Sequence, residues 1–213
     1  SSLYEMESFV KNNNCRILPS LDNNIKNGNS LVDEKYIEFN SNILNDPEMV
    51  EKIKIFNWEN EFEGEKFDAI VGNPPYIRVQ NMVHFSENEY EYYKSEVSKY
   101  ETAKSDLLDK YFLFMEKGLQ LLKPKGKMGY IIPHNFMLIK SGASVRKLQA
   151  EKKYVKQIIH FGTEQVFKGR STYTCLLFIE KKERKTFEIG FVKDINRFYA
   201  TESAEMKEYP IEY

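Results

Sequence analysis

The chain has 213 residues, of which 41% are hydrophobic and 30% are charged. This length and composition are typical of one globular domain with a single substantial core. The apolar runs are far too short to span a bilayer, and two cysteines and three scattered histidines cannot build a disulfide framework or a zinc site. The sequence therefore excludes an integral membrane protein and predicts a cytoplasmic one without a structural metal.

The net charge of −1 conceals an uneven distribution. Residues 1–93 contain 8 Lys and Arg against 17 Asp and Glu, whereas residues 94–185 contain 20 against 9. A segment this basic can meet a polyanion such as DNA. Solvated helix faces are the more common explanation for most of these lysines, and the sequence does not show whether they share one surface.

The first elements predicted along the chain are a short strand over residues 25–31 and a helix over residues 46–56, which Asn45 or Asp46 caps. Asn29 lies near the end of the strand. Its carboxamide can contact an adenine edge or a ribose there, or it can close a local Asx turn, which is the more common use.

The central feature of the sequence is residues 67–78, FDAIVGNPPYIR. Consecutive apolar residues from Ala69 to Val71 predict a parallel strand that is buried on both faces. Two prolines then exclude both helix and ladder pairing, because neither has an N–H and each fixes φ at about −65°. The strand therefore ends in a stiff tetrapeptide, Asn73-Pro74-Pro75-Tyr76, at the carboxyl end of a strand, where open α/β sheets bind ligands.

This tetrapeptide can hold an aromatic amine. The side-chain carbonyl of Asn73 and the main-chain carbonyl of Pro74 are both acceptors, and such an amine offers two N–H donors. Accepting both bonds localises the nitrogen lone pair and stabilises the positive charge that develops as the nitrogen attacks an electrophile. Tyr76 can lie against the face of the amine-bearing ring. The simpler alternative is a turn that follows a strand.

Residues 84–104 form a long polar connection, whose tyrosines either line a nucleic-acid channel or pack an excursion helix onto the domain. The strongest helix is predicted over residues 105–123, with Ser105 or Asp106 as its N-cap. The remaining predicted elements are strands over residues 127–133, 155–161 and 172–180 and a basic helix over residues 142–151. This alternation predicts a doubly wound α/β sheet.

Four blocks within residues 18–178 resemble, in order, the gamma class of adenine-N6 DNA methyltransferases, the TaqI-like enzymes that include type IIG restriction–modification proteins. Several linked blocks are far more specific than one motif. Residues 18–31 (LPSLDNNIKNGNSL) resemble the block that contacts the adenine of the methyl donor, and residues 67–78 resemble the catalytic block. Residues 109–136 match the helix–strand block that follows, and residues 161–178 (FGTEQVFKGRSTYTCLLF) match the block that supplies a base-stacking Phe.

The resemblance implies a Rossmann-like, class I methyltransferase fold and direct methyl transfer from S-adenosylmethionine to N6 of an adenine extruded from double-stranded DNA. By this resemblance, Asn73 and the Pro74 carbonyl hold the amine, while Tyr76 and Phe167 enclose the base. Asn29 then contacts the adenine of the donor, at a position where many relatives carry an acid.

The resemblance also makes Lys168 and Arg170, which flank Phe167, predicted phosphate contacts, and it implies a prokaryotic restriction–modification protein. The glycine-rich donor loop and the ribose-binding acid of the family lie before the first block, but no glycine precedes Gly28. We therefore expect residues 1–185 to be the C-terminal part of a methyltransferase domain, without the first two strands of its sheet. Residues 186–213 are then a hinge or the start of a target-recognition region.

Such a part of a domain has three expected properties. An exposed sheet edge favours self-association. Donor binding is weak or absent, and the part alone is inactive.

Two other functions are compatible with the same sequence. Related tetrapeptides serve enzymes that methylate glutamine in release factors, guanine in ribosomal RNA, or cytosine at N4, although the Phe167 block and the long connection favour DNA adenine. The second alternative is a non-catalytic module that binds DNA through its basic segment. The destination of a labelled methyl group separates these functions.

Overall fold

The computed structural model describes residues 21, 23–82, 84, 86–104, 108–167, 169 and 172–211. Its strands are β1 (Phe67–Gly72), β2 (Leu122–Pro133), β3 (Val155–His160), β4 (Thr174–Glu180), β5 (Thr186–Phe191) and β6 (Glu205–Pro210). Its α-helices are α1 (Lys35–Phe39), α2 (Pro47–Ile53), α3 (Trp58–Glu61), α4 (Val79–Met82), α5 (Glu87–Lys94), α6 (Lys110–Leu121), α7 (Ala143–Lys152) and α8 (Ile195–Thr201).

The six strands form one mixed sheet in the order β1-β2-β4-β3-β5-β6. β1 pairs with β2 and β3 pairs with β5 in parallel, while the other neighbours are antiparallel. Because β4 runs against both β2 and β3, the strands β1, β2, β3 and β5 all point the same way. Their C-terminal ends therefore share one edge, which we call the carboxyl edge. The prediction of an α/β sheet is confirmed.

Helix α6 packs its apolar stripe on the sheet, and Tyr111, Phe112 and Met115 are almost completely buried. The predicted caps Ser105 and Asp106 lie outside the described residues. The predicted helix stop over residues 123–126 is instead a bulge inside β2, which starts immediately after the helix. A left-handed residue within that bulge, with φ of 63°, lets the strand absorb its proline.

The strand predicted over residues 25–31 is wrong. Only an isolated parallel bridge from Asn29 to Ile55 is present there, because turn hydrogen bonds occupy this Asn- and Gly-containing segment. The helix predicted over residues 46–56 is confirmed as the shorter helix α2. Its N-cap is Asp46, whose carboxylate accepts a hydrogen bond from the Met49 N–H at 3.0 Å.

The excursion over residues 84–104 packs into the core. Tyr92 and Tyr93 in α5, and Tyr100 after it, are at most 4% exposed. The Tyr92 hydroxyl donates to Asp33 at 3.1 Å, and the Tyr100 hydroxyl donates to the Leu31 carbonyl at 2.9 Å. These three tyrosines therefore line no nucleic-acid channel, and the packing alternative holds for them.

Strand β1 lies at the edge of the sheet and pairs only with β2 among the described residues. The prediction that β1 is buried on both faces is wrong: Ala69 is exposed, and Val71 has 87% of its surface exposed. Apolar composition predicts burial, but the position of a strand within the sheet decides it. β1 therefore presents an open, apolar edge.

Residues 186–210 continue the same sheet as β5, α8 and β6. The domain boundary expected after residue 185 stays a prediction, although the local structure there is strand and helix. None of the described helices is long and apolar enough to cross a membrane. Within the described part of the chain, no three His, Cys, Asp or Glu side chains are placed to share a metal ion.

Candidate active site

The tetrapeptide Asn73-Pro74-Pro75-Tyr76 follows β1 directly and lies at the carboxyl edge. Pro74 is buried and Tyr76 is half-buried, whereas Asn73 and Pro75 are exposed. The carboxamide of Asn73 is therefore accessible to a ligand, while the next residue, Pro74, is held in the protein interior.

Two main-chain hydrogen bonds tie the far end of the tetrapeptide to the start of α6. The Val79 N–H donates to the Leu108 carbonyl at 2.7 Å, and the Lys110 N–H donates to the Ile77 carbonyl at 2.8 Å. With β1 holding the near end, both ends of the segment are fixed, and the two prolines stiffen its middle.

The Tyr76 hydroxyl reaches two acceptors. It lies 2.8 Å from Oδ1 of Asn73 and 2.9 Å from the main-chain carbonyl of Ile131 in β2. One hydroxyl has one proton, so it donates to one of these oxygens at a time. Burial, with a smaller contribution from the nearby Cys175 thiol, raises the pKa of Tyr76 to about 12. The hydroxyl is therefore a donor throughout the neutral range.

The Tyr76 ring is packed edge-on against Tyr111, with 6.2 Å between ring centroids and 78° between planes. The Tyr111 hydroxyl donates in turn to Oδ1 of Asn135 at 3.3 Å. These contacts show Tyr76 as a residue that positions Asn73. Its predicted stacking on a target base stays a prediction.

A cavity of about 400 Å³ lies along β1, and Asn73, Pro74 and Pro75 of the tetrapeptide are among its lining residues. Its volume lies within the range of small-molecule sites. The walls are mainly apolar and aromatic: Ser30, Trp58, Phe67, Ala69, Ile70, Val71, Gly72, Asn73, Pro74, Pro75, Phe114, Lys117, Gly118, Leu121 and Tyr130.

Lys117 is the one cationic side chain among these described lining residues. It lies 3.8 Å from the Asp33 carboxylate, and burial lowers the pKa of its ammonium group. Trp58 forms another part of the wall, where its indole N–H donates to the Ser30 carbonyl at 3.0 Å. The sequence did not single out Ser30, Trp58 or Lys117 as site residues, because no local pattern reveals which residues meet at a cavity.

Asn29 is adjacent to this cavity but is not among its lining residues. Its side-chain oxygen accepts a hydrogen bond from the Leu31 N–H at 3.3 Å, which is the local Asx-type turn. The carboxamide also lies beside the buried Glu89 and Tyr93 side chains. The structure therefore gives Asn29 a structural role, and its contact with a donor adenine stays a prediction.

Phe167 is half-buried on the connection between β3 and β4. This connection leaves the carboxyl edge, as the tetrapeptide does, but two strands of the sheet separate β1 from β3. The predicted phosphate contacts Lys168 and Arg170 lie outside the described residues. The enclosure of a base by Phe167 and Tyr76 stays a prediction.

The fold places this site in a known class. A Listeria monocytogenes protein assigned to the class I S-adenosylmethionine-dependent methyltransferases matches with a TM-score of 0.50 and 19% identity, over 65% of this chain and 40% of that one. DrdV, solved as a complex with DNA, matches with a TM-score of 0.50 and 18% identity, over 70% of this chain and 18% of that one. The chain has the class I methyltransferase fold.

The sequence then specifies the family. Residues 2–167 match the model of the Eco57I restriction-modification methylases, and the chain belongs to that family. It is 40% identical over 188 residues to the type II restriction enzyme and methyltransferase RM.Eco57I of Escherichia coli, which is 87% of this chain. The chain spans 17% of the length of that relative.

Proposed function

We propose that this chain supplies the amine-binding part of a DNA methyltransferase that methylates N6 of an adenine extruded from double-stranded DNA. The observation that carries the proposal is the fixed tetrapeptide, whose Asn73 carboxamide is exposed at the carboxyl edge beside a cavity. Membership of the restriction-modification methylase family supports a DNA substrate.

The proposed mechanism uses two oxygen acceptors. Asn73 Oδ1 and the Pro74 carbonyl accept the two N–H bonds of the adenine amine, so that the nitrogen lone pair points at the methyl group. The S–CH3 bond of the donor would break as the N–C bond forms, with its electron pair going to sulfur. Positive charge then grows on N6, and these preorganised oxygens stabilise it. The nitrogen then releases one proton to water. The Tyr76 hydroxyl orients the Asn73 carboxamide while it donates to Oδ1, and the Ile131 carbonyl is its alternative acceptor.

S-adenosylmethionine, when bound, supplies the electrophilic methyl group. The aromatic cavity wall fits the purine of such a donor, since Trp58, Phe67 and Tyr130 offer apolar ring surface. No carboxylate is present among the described residues that line the cavity, so ribose hydroxyls have no acidic partner there. The chain therefore fits part of the donor only.

We further propose that the chain works within a longer restriction–modification protein, as its relative RM.Eco57I is much longer. The missing donor contacts then come from other segments of that protein. The described residues that line the cavity include no acidic partner for the ribose, and the chain alone is expected to be inactive.

Methyl transfer by the longer protein that contains this chain tests the proposal. Label from tritiated S-adenosylmethionine is expected in N6-methyladenine of DNA, and Asn73→Ala is expected to reduce the rate by a factor of about 100 or more, as for loss of one oxyanion-hole donor. Asn81→Ala removes an exposed amide from α4 and serves as the matched control. Label in RNA, in a release factor or at cytosine N4 would assign one of the other amine substrates.

The non-catalytic alternative predicts a different pattern. A module that only binds DNA incorporates no label, and its affinity for DNA is indifferent to Asn73. A methylation rate that is unchanged by Asn73→Ala would contradict the proposed mechanism.

A further inference from the structure

Four aromatic rings lie in a continuous row along the carboxyl edge, outside the cavity. Tyr173 stacks on His134, with 6.0 Å between centroids and 10° between planes, and His134 stacks on His160 at 4.2 Å and 18°. Phe191 continues the row beside His160, at 5.8 Å and 40°. Each ring comes from the end of a different strand, and we call these four side chains the ring row.

The ends of the ring row are open to solvent. Tyr173 is 39% exposed and Phe191 is 43% exposed, while the two histidines between them are half-buried. Large aromatic side chains normally bury their faces. The ring row therefore presents aromatic surface to solvent at the edge of the sheet that carries the proposed site.

The ring row is continuous with the proposed active site. Cys175 pairs with both His160 and Ile132, and its buried thiol is near enough to contribute to the raised pKa of Tyr76. The connection that carries Phe167 also starts from the row, since it leaves β3 at His160. A strand of DNA whose base enters the site would therefore meet the same edge of the sheet that carries these rings.

Burial lowers the pKa of both histidines of the row, which favours their neutral form. Nδ1 of His160 accepts a hydrogen bond from the Gly162 N–H at 2.8 Å, so this nitrogen carries no proton and the ring proton is on Nε2. The centroids of the two imidazole rings are 4.2 Å apart, so a positive charge on one ring would disfavour protonation of the other. Uncharged stacked rings suit the faces of nucleobases better than phosphates, which need cations.

We propose that the ring row is a stacking surface for bases of the DNA strand next to the extruded adenine. This inference rests on the proposed DNA substrate and assigns a second contact to it. Bases have flat π faces, so stacking on the row tolerates any sequence. The row then holds the strand while the tetrapeptide holds the amine.

Binding of DNA by the unaltered 213-residue chain tests the ring row. The probe is a fluorescein-labelled duplex with one adenine opposite an abasic position, followed by fluorescence anisotropy at one fixed salt concentration. Tyr173→Ala and Phe191→Ala are each expected to weaken binding about five- to a hundredfold. Tyr173→Phe and Phe191→Tyr keep a ring and are expected to keep the affinity.

Tyr199→Ala is the matched control, because Tyr199 is 60% exposed but lies on α8 outside the row. Equal affinities for the two alanine variants and the unaltered chain would overturn the proposal, as would no binding by the unaltered chain. Dissociation of a dimer by Phe191→Ala, with DNA affinity unchanged, would overturn it in favour of a second copy.

The two proposals fail separately. Asn73→Ala removes the amine acceptor but leaves the ring row, so it is expected to slow methylation by the longer protein by a factor of about 100 or more. Tyr173→Ala is expected to weaken probe binding by the same factor whether Asn73 is present or replaced. If the longer protein methylates adenine but the Tyr173 and Phe191 variants bind the probe normally, only the proposal of a stacking surface is refuted. Weakened probe binding by ring variants of a protein that never methylates adenine would refute only the proposed function.

Discussion

The Tyr76 hydroxyl lies 2.8 Å from Oδ1 of Asn73, three residues earlier in the chain. This is the oxygen that the proposed mechanism assigns to the adenine amine. A carboxamide oxygen has two lone pairs, so it can accept from Tyr76 and from the amine together. The contact orients the carboxamide in the absence of a substrate, which preorganises the proposed acceptor.

The hydroxyl of Tyr76 is therefore expected to matter separately from its ring. Tyr76→Phe keeps the ring but loses the hydrogen bond, so methyl transfer by the longer protein is expected to slow about tenfold, the equivalent of about 1.4 kcal/mol. Single-turnover rates measure this effect on the chemical step. Tyr111→Phe, which removes a neighbouring hydroxyl, is the control. An unchanged rate in Tyr76→Phe would show that only the ring of Tyr76 contributes.

Donor binding by the chain alone is expected to be weak. The cavity offers aromatic walls but no carboxylate among its described lining residues, so the ribose and the methionine group lack partners. Calorimetric titration with S-adenosylmethionine is expected to give no saturation at micromolar concentrations. Saturation in that range would mean that the chain itself holds the complete donor site, and a methylation assay of the chain alone should follow.

The ion pair between Lys110 and Glu89 is expected to stabilise the fold. The two groups are 3.0 Å apart with side chains 15% and 11% exposed, and Glu89 also accepts from the Tyr93 hydroxyl at 2.7 Å. Lys110→Met leaves this carboxylate without its cation and is expected to cost about 3–5 kcal/mol in urea unfolding. Lys104→Ala breaks the exposed pair with Glu101 and is expected to change nothing measurable.

The ion pair between Lys110 and Glu89 also predicts that the stability of the fold decreases in acid. Burial raises the pKa of Glu89, but Lys110 and the hydrogen bonds of Glu89 outweigh burial, and the net pKa is lowered from 4.5. A lowered carboxyl pKa stabilises the fold above the unfolded value, and this stabilisation is lost as the pH falls through the folded value. Lys110→Met should therefore flatten the fall in stability below about pH 4.5.

The stacked histidines predict a second effect of pH, in a higher range. Burial lowers the pKa values of His134 and His160 from 6.5, and each is close to the other, with Tyr173 and Cys175 as the remaining titratable neighbours. The folded protein then binds fewer protons than the unfolded chain. Stability is complete above about pH 6.5 and declines as the pH falls from there toward the folded pKa values.

Unfolding midpoints between pH 8 and pH 5 measure this decline. His134→Phe keeps a stacked ring without a titratable nitrogen and is expected to reduce the dependence. His84→Phe changes an exposed histidine elsewhere and is the control. An identical pH dependence in the His134 variant would show that the stacked pair does not titrate in this range.

The open edge of β1 is expected to promote self-association. Val71 is 87% exposed on a strand that pairs only with β2 among the described residues. Val71→Lys places a charge on this edge and is expected to shift the chain toward monomers in sedimentation experiments. Val50→Lys, a change at an exposed valine of α2, is the comparison. Equal mass distributions for both variants would locate any association elsewhere.

The sequence predicted well those features of the fold that depend on residues close together in the chain. Asp46 caps α2 as its type predicts, and the apolar spacing of α6 places Phe112 in the core. Long-range order was not predictable in the same way. The composition of β1 predicted a strand buried on both faces, and only the resemblance to the family implied the exposed edge where Val71 lies. His134 and His160 lie far apart in the sequence, and nothing there indicated that they stack. Both outcomes depend on strand order, which residues far apart in sequence decide.

In the candidate site, too, local features were predicted from the sequence and contacts between side chains were not. Proline chemistry predicted a rigid segment after β1, and that segment is where the sequence indicated. The contact from Tyr76 to Asn73 was not predicted, because a stacking role and a positioning role need the same residue type at the same place. Asn29 was predicted with two alternatives, and the structure shows the Asx-type contact to the Leu31 N–H.

The insertion of β4 between β2 and β3 also sets an order of assembly. Because β4 follows both neighbours in the chain, the centre of the sheet cannot close until residue 180 is available. During translation, β2 and β3 are therefore synthesised before β4, and the edges that pair with β4 stay unpaired until then. The unpaired edge of β2 includes the apolar residues Ile131 and Ile132. Such non-local pairing is slow and exposes a growing chain to misassembly. We expect truncation before β4 to yield aggregates rather than a smaller stable domain.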